Sequence, residues 1–193
     1  LFGNAGDDAL YGENGDDRLF GWTGTDLLEG GNGKDELHGG DDDDTLRGEA
    51  GNDGLWGDAG DDNLAGGAGI DVLEGGEGDD TLDGGAHQDF LFGDEGADTL
   101  SGGDSDNAED HLWGGEGDDL FLFSINGGDD WVEDFTSGED TLDVSALGFA
   151  DFDDLLSSTS DVGGNATIDY GNNDTITLVG VAPAHLTADD FLF

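Results

Sequence analysis

An aspartate recurs at the sixth place of a nine-residue frame, at Asp8, Asp17, Asp26, Asp35, Asp44, Asp53, Asp62, Asp71, Asp80, Asp89, Asp98, Asp110 and Asp119. The lines GDAGDDNLA, GGAGIDVLE and GGEGDDTLD, running from Gly57 to Asp83, show the frame: Gly at places one and four, Asp at six, Leu at eight. Glycine-rich turns leave backbone carbonyls that need partners. Carbonyls plus carboxylates make an oxygen-only donor set, and a hard divalent cation takes roughly six to eight oxygens in flexible geometry. Calcium fits that set better than magnesium, which demands a stricter octahedron. Zinc is disfavoured, because the chain has no Cys and its histidines, His38, His87, His111 and His185, are not at ligand spacing. The competing reading is that each Asp caps its own tight turn through local hydrogen bonds. Like charges stacked about 4.8 Å apart along a sheet edge would repel strongly without a cation, which favours calcium.

The elements that must position these carboxylates follow from the same frame. Units begin at Gly3, Gly12, Gly21, Gly30, Gly39, Gly48, Gly57, Gly66, Gly75, Gly84, Gly93, Gly102 and Gly114, and the unit from Gly102 to Trp113 alone is twelve residues long. Place eight is Leu in every unit but the last, which has Phe121. Six Gly-rich residues make a turn. The three that follow make a short strand whose middle side chain faces one way and whose flanks face the other. Two units return the chain to its starting side, so a coil takes eighteen residues and unit n lies beside unit n+2. The expected fold is all-β: a right-handed parallel β-roll over residues 1–122, followed by a small β-rich cap over residues 123–193.

Places seven and nine then point outward. On one sheet, place nine reads Phe2, Phe20, His38, Trp56, Glu74, Phe92 and Trp113, an aromatic column with Phe90 beside it. Such a column could dock an upstream domain, self-associate or hold a polysaccharide, or it could be a ladder that stiffens the sheet. Arg47 beside Glu29, and Arg18 beside Glu36, are expected to form ion pairs between coils.

Composition narrows the partners. Lys and Arg number 3 against 50 Asp and Glu, a formal charge of -47, so the chain is not expected to bind nucleic acid or anionic lipid. With 39 Gly and a core built largely of Leu, the free chain has too little apolar surface to offset its conformational entropy and self-repulsion, so folding is expected to be coupled to a cation. No apolar run reaches the roughly 20 residues of a membrane helix, and the start shows no signal peptide. The sequence lacks Met and opens in mid-pattern, which suggests a fragment of a longer protein whose catalytic domain, if any, lies upstream.

The iterated nonapeptide resembles the repeats-in-toxin (RTX) family, whose GGxGxDxUx repeat is a calcium-binding one. The resemblance implies several calcium ions, each between turns n and n+2 and held by both place-six aspartates with carbonyls from places one to four. Asp62 would share an ion with Asp80, and Asp71 with Asp89. Asp42 and His87 replace Gly at place four, which puts the sites using those turns in doubt. In the long unit, Asp104, Asp106 and Glu109 could add a site, but a solvated bulge is favoured because the order of an EF-hand loop fails there.

Beyond Phe123 the frame stops, and the segment carrying Asp130, Trp131, Asp134, Phe135, Gly138, Asp140, Leu142, Asp143 and Ser145 looks like the end of serralysin-type exoproteins. By that resemblance Asp130 and Asp140 would hold one further calcium. A short helix is expected at Asp151 to Leu156, a hairpin of Ala166 to Tyr170 with Thr175 to Val181, and a capping turn at Thr187 to Asp190. The final DDFLF is similar to the tail that type I secretion reads through an ABC exporter. Neither HExxH nor GxSxG occurs, and the carboxylates have a metal-binding explanation, so no enzyme is expected within this stretch. The leading expectation is a secreted, extracellular module that folds on calcium and supports export and folding of a larger exoprotein. The alternative is a calcium-stabilised adhesive module that uses the aromatic face.

Overall fold

The computed structural model of the chain describes residues 1–103 and 107–193. The turn–strand units form β1 (Phe2–Ala5), β2 (Ala9–Tyr11), β3 (Arg18–Thr23), β4 (Leu27–Asn32), β5 (Glu36–Asp41), β6 (Thr45–Ala50) and β7 (Gly54–Ala59). They continue as β8 (Asn63–Ala68), β9 (Val72–Glu77), β10 (Thr81–Ala86), β11 (Phe90–Glu95), β12 (Thr99–Ser101), β13 (His111–Glu116) and β14 (Leu120–Leu122). Odd strands pair with odd and even with even, all parallel, so each coil adds one strand to each of two sheets. Register is kept to the residue: Leu37 lies opposite Leu55 and Leu55 opposite Leu73. The chain is thus an all-β parallel solenoid of eighteen residues per coil.

Place eight builds the core. Leu19, Leu28, Leu37, Leu46, Leu55, Leu73, Leu91, Leu100, Leu112 and Phe121 are fully buried, one per strand, between the two sheets. A single apolar side chain per nonapeptide makes a core one residue deep, so each coil leans on its neighbours rather than on a centre of its own.

The sequence frame stops at Phe123, but the roll does not. β15 (Asp129–Val132) and β16 (Thr141–Asp143) add the next strand to each sheet. The segment Ile125–Glu133 is itself nonapeptide-shaped. Asn126 and Gly128 take positive φ of 62° and 114° where places two and four fall, and Val132 is buried at place eight. Two extra residues, Phe123 and Ser124, and the lack of Gly at its first place hide this unit from pattern matching.

The C-terminal elements then close the roll. Helix α1 (Phe152–Ser157) starts at Asp151, whose carboxylate accepts from the Asp154 N–H, as helix-capping residues do. It is followed by β17 (Thr159–Val162), β18 (Asn165–Gly171) and β19 (Asp174–Leu178). β18 runs antiparallel to both β17 and β19, and β19 pairs parallel with β15. The last strand, β20 (Phe191–Leu192), lies parallel on β16 with Phe191 opposite Leu142. Ile168, Ile176 and Leu178 are fully buried, and they extend the leucine file into a broader cluster with Val144 and Leu155. No helix among the described residues is long and apolar enough to cross a membrane.

Candidate metal centre

Each place-six aspartate reaches back one coil. Asp62 Oδ1 accepts from the Asp44 N–H at 2.7 Å, and Asp80 Oδ1 accepts from the Asp62 N–H at 2.7 Å. Repeated down the roll, these bonds join Asp8, Asp26, Asp44, Asp62, Asp80, Asp98, Asp119 and Asp140 into one row. Asp17, Asp35, Asp53, Asp71, Asp89, Asp110 and Asp130 form a second row along the other edge. The pairs Asp62 with Asp80 and Asp71 with Asp89 are therefore together. Asp130 and Asp140 are not: each ends a different row, Asp130 beside Asp110 and Asp140 beside Asp119. The two end different rows because consecutive units are shifted by half a coil.

The second oxygen is the informative one. Oδ2 of Asp26, Asp35, Asp44, Asp53, Asp62, Asp71, Asp80, Asp98 and Asp119 is buried without a hydrogen-bond partner among the described residues. Polar atoms in protein interiors are normally satisfied, and a lone buried carboxylate oxygen is costly. Burial pushes Asp44 and Asp80 up to about 7, with neighbouring carboxylates adding to the effect. It pushes Asp62, Asp71, Asp98 and Asp119 up to about 6. The backbone N–H bond on Oδ1 opposes the rise without cancelling it. Such a row asks for positive charge at Oδ2.

Place-one glycines keep that space open. A Cβ on Gly66 would lie 2.6 Å from Asp71 Oδ2 and 2.6 Å from the carbonyl oxygen of Gly84, one coil on. Carboxylate and carbonyl oxygens thus line one cradle that a side chain would fill. The donor set is oxygen-only, which suits calcium. No group of three or more His, Cys, Asp or Glu side chains at metal-binding distance exists among the described residues, so an ion here has to draw on backbone carbonyls as well as the two row carboxylates.

The place-four departures adopt the backbone of the glycines they replace: Asp42 and His87 have φ of 78° and 81°. Sequence reasoning missed that place two is left-handed throughout. Asn4, Glu13, Trp22, Glu49, Asp58 and Asp94 take φ between 70° and 85° there, and the other units carry Gly. It also missed a second ladder at place five. Asp43 Oδ1 accepts from the Asp61 N–H at 3.0 Å, Asp61 Oδ1 from Asp79 at 2.9 Å and Asp79 Oδ1 from Ala97 at 2.9 Å. Asn52 does the same for Ile70 at 3.1 Å. The signal was present as repeated Asp or Asn at place five, which turn propensity alone also explains. Of the extra site considered in the long unit, Asp104 and Asp106 lie outside the described residues.

On the outer face, the aromatic column is a stack. Ring centroids are 5.4 Å apart for Phe2 and Phe20, 4.9 Å for Phe20 and His38, and 4.6 Å for His38 and Trp56, with planes within 12° of parallel. Phe92 and Trp113 stack at 4.5 Å. Glu74 interrupts the column but accepts a hydrogen bond from Trp56 Nε1 at 3.0 Å. Neighbouring rings therefore cover one another's faces, as a stiffening ladder does. Both expected ion pairs form, Arg18 with Glu36 at 3.0 Å and Arg47 with Glu29 at 2.9 Å.

Among solved structures, the extracellular lipase LipA from Serratia marcescens is similar at 19% identity and a TM-score of 0.42, over 83% of this chain and 40% of the lipase. The chain thus spans about two fifths of that lipase's length. The AlgE6R3 subunit of the Azotobacter vinelandii mannuronan C5-epimerase is similar at 28% identity and a TM-score of 0.36, over 88% of this chain and 80% of that one. No curated protein matches. The model of the RTX calcium-binding nonapeptide repeat matches residues 1–28, 29–64, 56–91, 65–100 and 93–123, so the chain belongs to that family.

Proposed function

We propose that this chain is a calcium-dependent folding module of a larger secreted protein. The observation that carries the reading is the pair of rows in which buried carboxylates bond one oxygen to the previous coil, while Asp26, Asp35, Asp44, Asp53, Asp62, Asp71, Asp80, Asp98 and Asp119 leave the other without a hydrogen-bond partner among the described residues. Calcium would be held at successive positions along each row, by Asp62 with Asp80, Asp71 with Asp89 and their equivalents, together with turn carbonyls. It would supply charge neutralisation and nothing catalytic. Because each site needs two coils, metal binding and stacking are one event, and a ligand that binds only the folded state stabilises it by mass action.

A chain of charge -47 stays extended where calcium is scarce, inside the cell, and folds where calcium is abundant, outside it. The C-terminal tail is the export address in this reading, presented to an ABC exporter of type I secretion before folding. Once folded, the same tail is the last strand of a sheet, with Phe191 buried against Leu142. Activity belongs to whatever domain the roll is joined to. Circular dichroism of the chain during calcium titration tests the reading: the β signal should rise cooperatively with calcium, and full order in excess chelator would overturn it.

One observation favours a second, adhesive reading at a narrower place than the whole column. Trp22 stands outside the stack, 57% exposed, in the left-handed backbone region with φ of 85°. It borders a cleft with Phe20, His38, Asp41 and Asp58. A polysaccharide that binds this module would meet Trp22, the one indole outside the stack there. Loss of binding in Trp22→Ala, with calcium-dependent folding intact, is the expected result; unchanged binding would remove the reading.

A further inference from the structure

We propose that the row ending at Asp130 carries one more calcium site than the repeats encode, closed by Asp174 of the C-terminal hairpin with oxygens of Ser124. The inference rests on the calcium reading above, but on residues outside the nonapeptide pattern.

β15 and β19 are aligned with Asp129 opposite Thr175, Asp130 opposite Ile176 and Val132 opposite Leu178. In a parallel ladder, aligned residues share a face and alternate along the strand. Asp130, Val132, Ile176 and Leu178 are buried together, which puts them on the inward face. Asp174 has the same parity as Ile176, so its carboxylate also points inward. It is 4% exposed, and its Oδ2 is buried without a hydrogen-bond partner among the described residues. The residue aligned with Asp130 in the next coil is the apolar Ile176, so a search for Asp at place six ends the row here. Asp174 enters the same space from two residues earlier.

Other oxygens converge on that space. A Cβ on Gly127 would lie 3.2 Å from the Tyr170 hydroxyl, 3.3 Å from Asp130 Oδ2 and 3.3 Å from the Ser124 carbonyl oxygen. The Ser124 hydroxyl is buried with no partner among the described residues. The Tyr170 hydroxyl donates to the Gly128 carbonyl at 3.1 Å, leaving its lone pairs directed elsewhere. The backbone N–H of Thr175 donates to the same Gly128 carbonyl at 3.0 Å, so Asp174, the residue before it, lies alongside that hydroxyl; burial, and then the charges of Asp130 and Asp174, raise the pKa of Tyr170. Two carboxylates, a carbonyl and two hydroxyls form a hard, oxygen-only set that calcium accepts and zinc does not. An ion there would pin the hairpin of β18 and β19 to the last nonapeptide-shaped turn.

The test is a count of bound calcium per chain by equilibrium dialysis with elemental analysis, on the full chain and on Asp174→Asn. It is paired with amide exchange of residues 165–178 with and without calcium. The expected result is the loss of about one ion in Asp174→Asn, with the circular dichroism of the roll retained and calcium no longer protecting the hairpin. If Asp174→Asn fails to fold, Ser124→Ala serves instead: the weakest-held ion should bind at least several-fold more weakly. An unchanged count and unchanged hairpin protection in both variants would overturn the proposal while leaving the row sites standing. A wild-type chain that binds no calcium would overturn both.

Discussion

Two buried aspartates, Asp62 in the roll and Asp190 in the cap, show how differently the two regions handle charge. Asp62 is 3% exposed and leaves Oδ2 without a partner among the described residues. Asp190 is fully buried and saturated. Its Oδ1 accepts from the Gly138 N–H at 2.9 Å and its Oδ2 from the Thr187 N–H at 2.6 Å, while the single Ser137 hydroxyl proton lies within reach of both oxygens, at 3.1 and 3.0 Å. The turn around Asp190 answers its carboxylate with protein donors, whereas the roll, like Asp174 at the seam between roll and hairpin, leaves a carboxylate oxygen without one among the described residues. The difference follows from architecture. A solenoid edge repeats the same group at every coil, so each Asp finds another Asp on either side, whereas the cap brings unlike segments together.

The largest expected effect separates the two regions by removing calcium. In excess chelator the roll should lose its β signal and the amide protection of Leu37, Leu55 and Leu73 should collapse, since the uncompensated rows outweigh a core one residue deep. The residues around Ile168, Ile176 and Leu178 should keep more protection than the roll. Exchange measured by mass spectrometry checks this, and uniform loss across both regions would show that the cap also depends on the rows.

Asp190→Ala reverses the comparison. Hydrogen bonds to a charged group are worth about 1.5–3 kcal/mol each, and an unmet buried donor costs further. The substitution should therefore destabilise the cap by about 2–4 kcal/mol and free β20, whatever the calcium level. Asp62→Asn should instead change sign with the metal. With calcium it weakens the positions shared with Asp44 and Asp80 and raises the calcium midpoint. In chelator it removes a buried unpaired charge and should be neutral or stabilising. Denaturant melts of both variants in calcium, with the residual β signal of Asp62→Asn and the parent chain compared in chelator, give the comparison.

How far the sequence carried this comparison depends on what each region repeats. Iteration made the roll legible: Asp at place six, Leu at place eight, the coil length, the stacked rings and the pairs Arg18 with Glu36 and Arg47 with Glu29 all follow from one frame. The left-handed place two was hidden because Glu13 and Trp22, poor residues for that region, are forced into it by the coil around them. The unit Ile125–Glu133 was hidden by two inserted residues, and Asp174 by lying in a non-repeating hairpin that long-range register alone brings beside β15. The short helix near Asp151 and the capping turn at Thr187 were readable because their bonds are local, although Asp151 proves to be the N-cap of a helix over Phe152–Ser157 rather than its first residue.

Acid should act on the rows in two opposite ways. Asp44 and Asp80, at about 7, and Asp62, Asp71, Asp98 and Asp119, at about 6, are raised above their ordinary value of 3.8 by burial. A raised carboxylate favours folding fully below its unfolded value, and that contribution is lost as pH rises through the folded one. Without metal, the folded roll should therefore gain stability as pH falls from 7.5 toward 4. Protons and calcium compete for the same oxygens, so the calcium midpoint should rise over that interval, by about tenfold or more between pH 7.5 and 5.5. Calcium titrations followed by circular dichroism at several pH values check both signs.

The smallest expected effect lies within the roll, between two place-four exceptions. A non-glycine residue in the left-handed region costs roughly 1–2 kcal/mol, of which glycine returns part as added freedom of the unfolded chain. His87→Gly, at φ 81°, gives up an exposed contact between neighbours in sequence, its Nδ1 lying 2.7 Å from the Ala86 carbonyl oxygen, and should thus stabilise the calcium-bound form by at most about 0.5–1 kcal/mol. Asp42, at φ 78°, uses its side chain: Oδ2 accepts from the Gly24 N–H at 3.2 Å. Asp42→Gly relieves the same backbone and forfeits that bond, worth about 0.5–1.5 kcal/mol, so its net effect should fall near zero. Thermal melts at saturating calcium order the pair. Equal gains would mean that the Asp42 bond contributes nothing, and that the roll treats both departures purely as backbone strain.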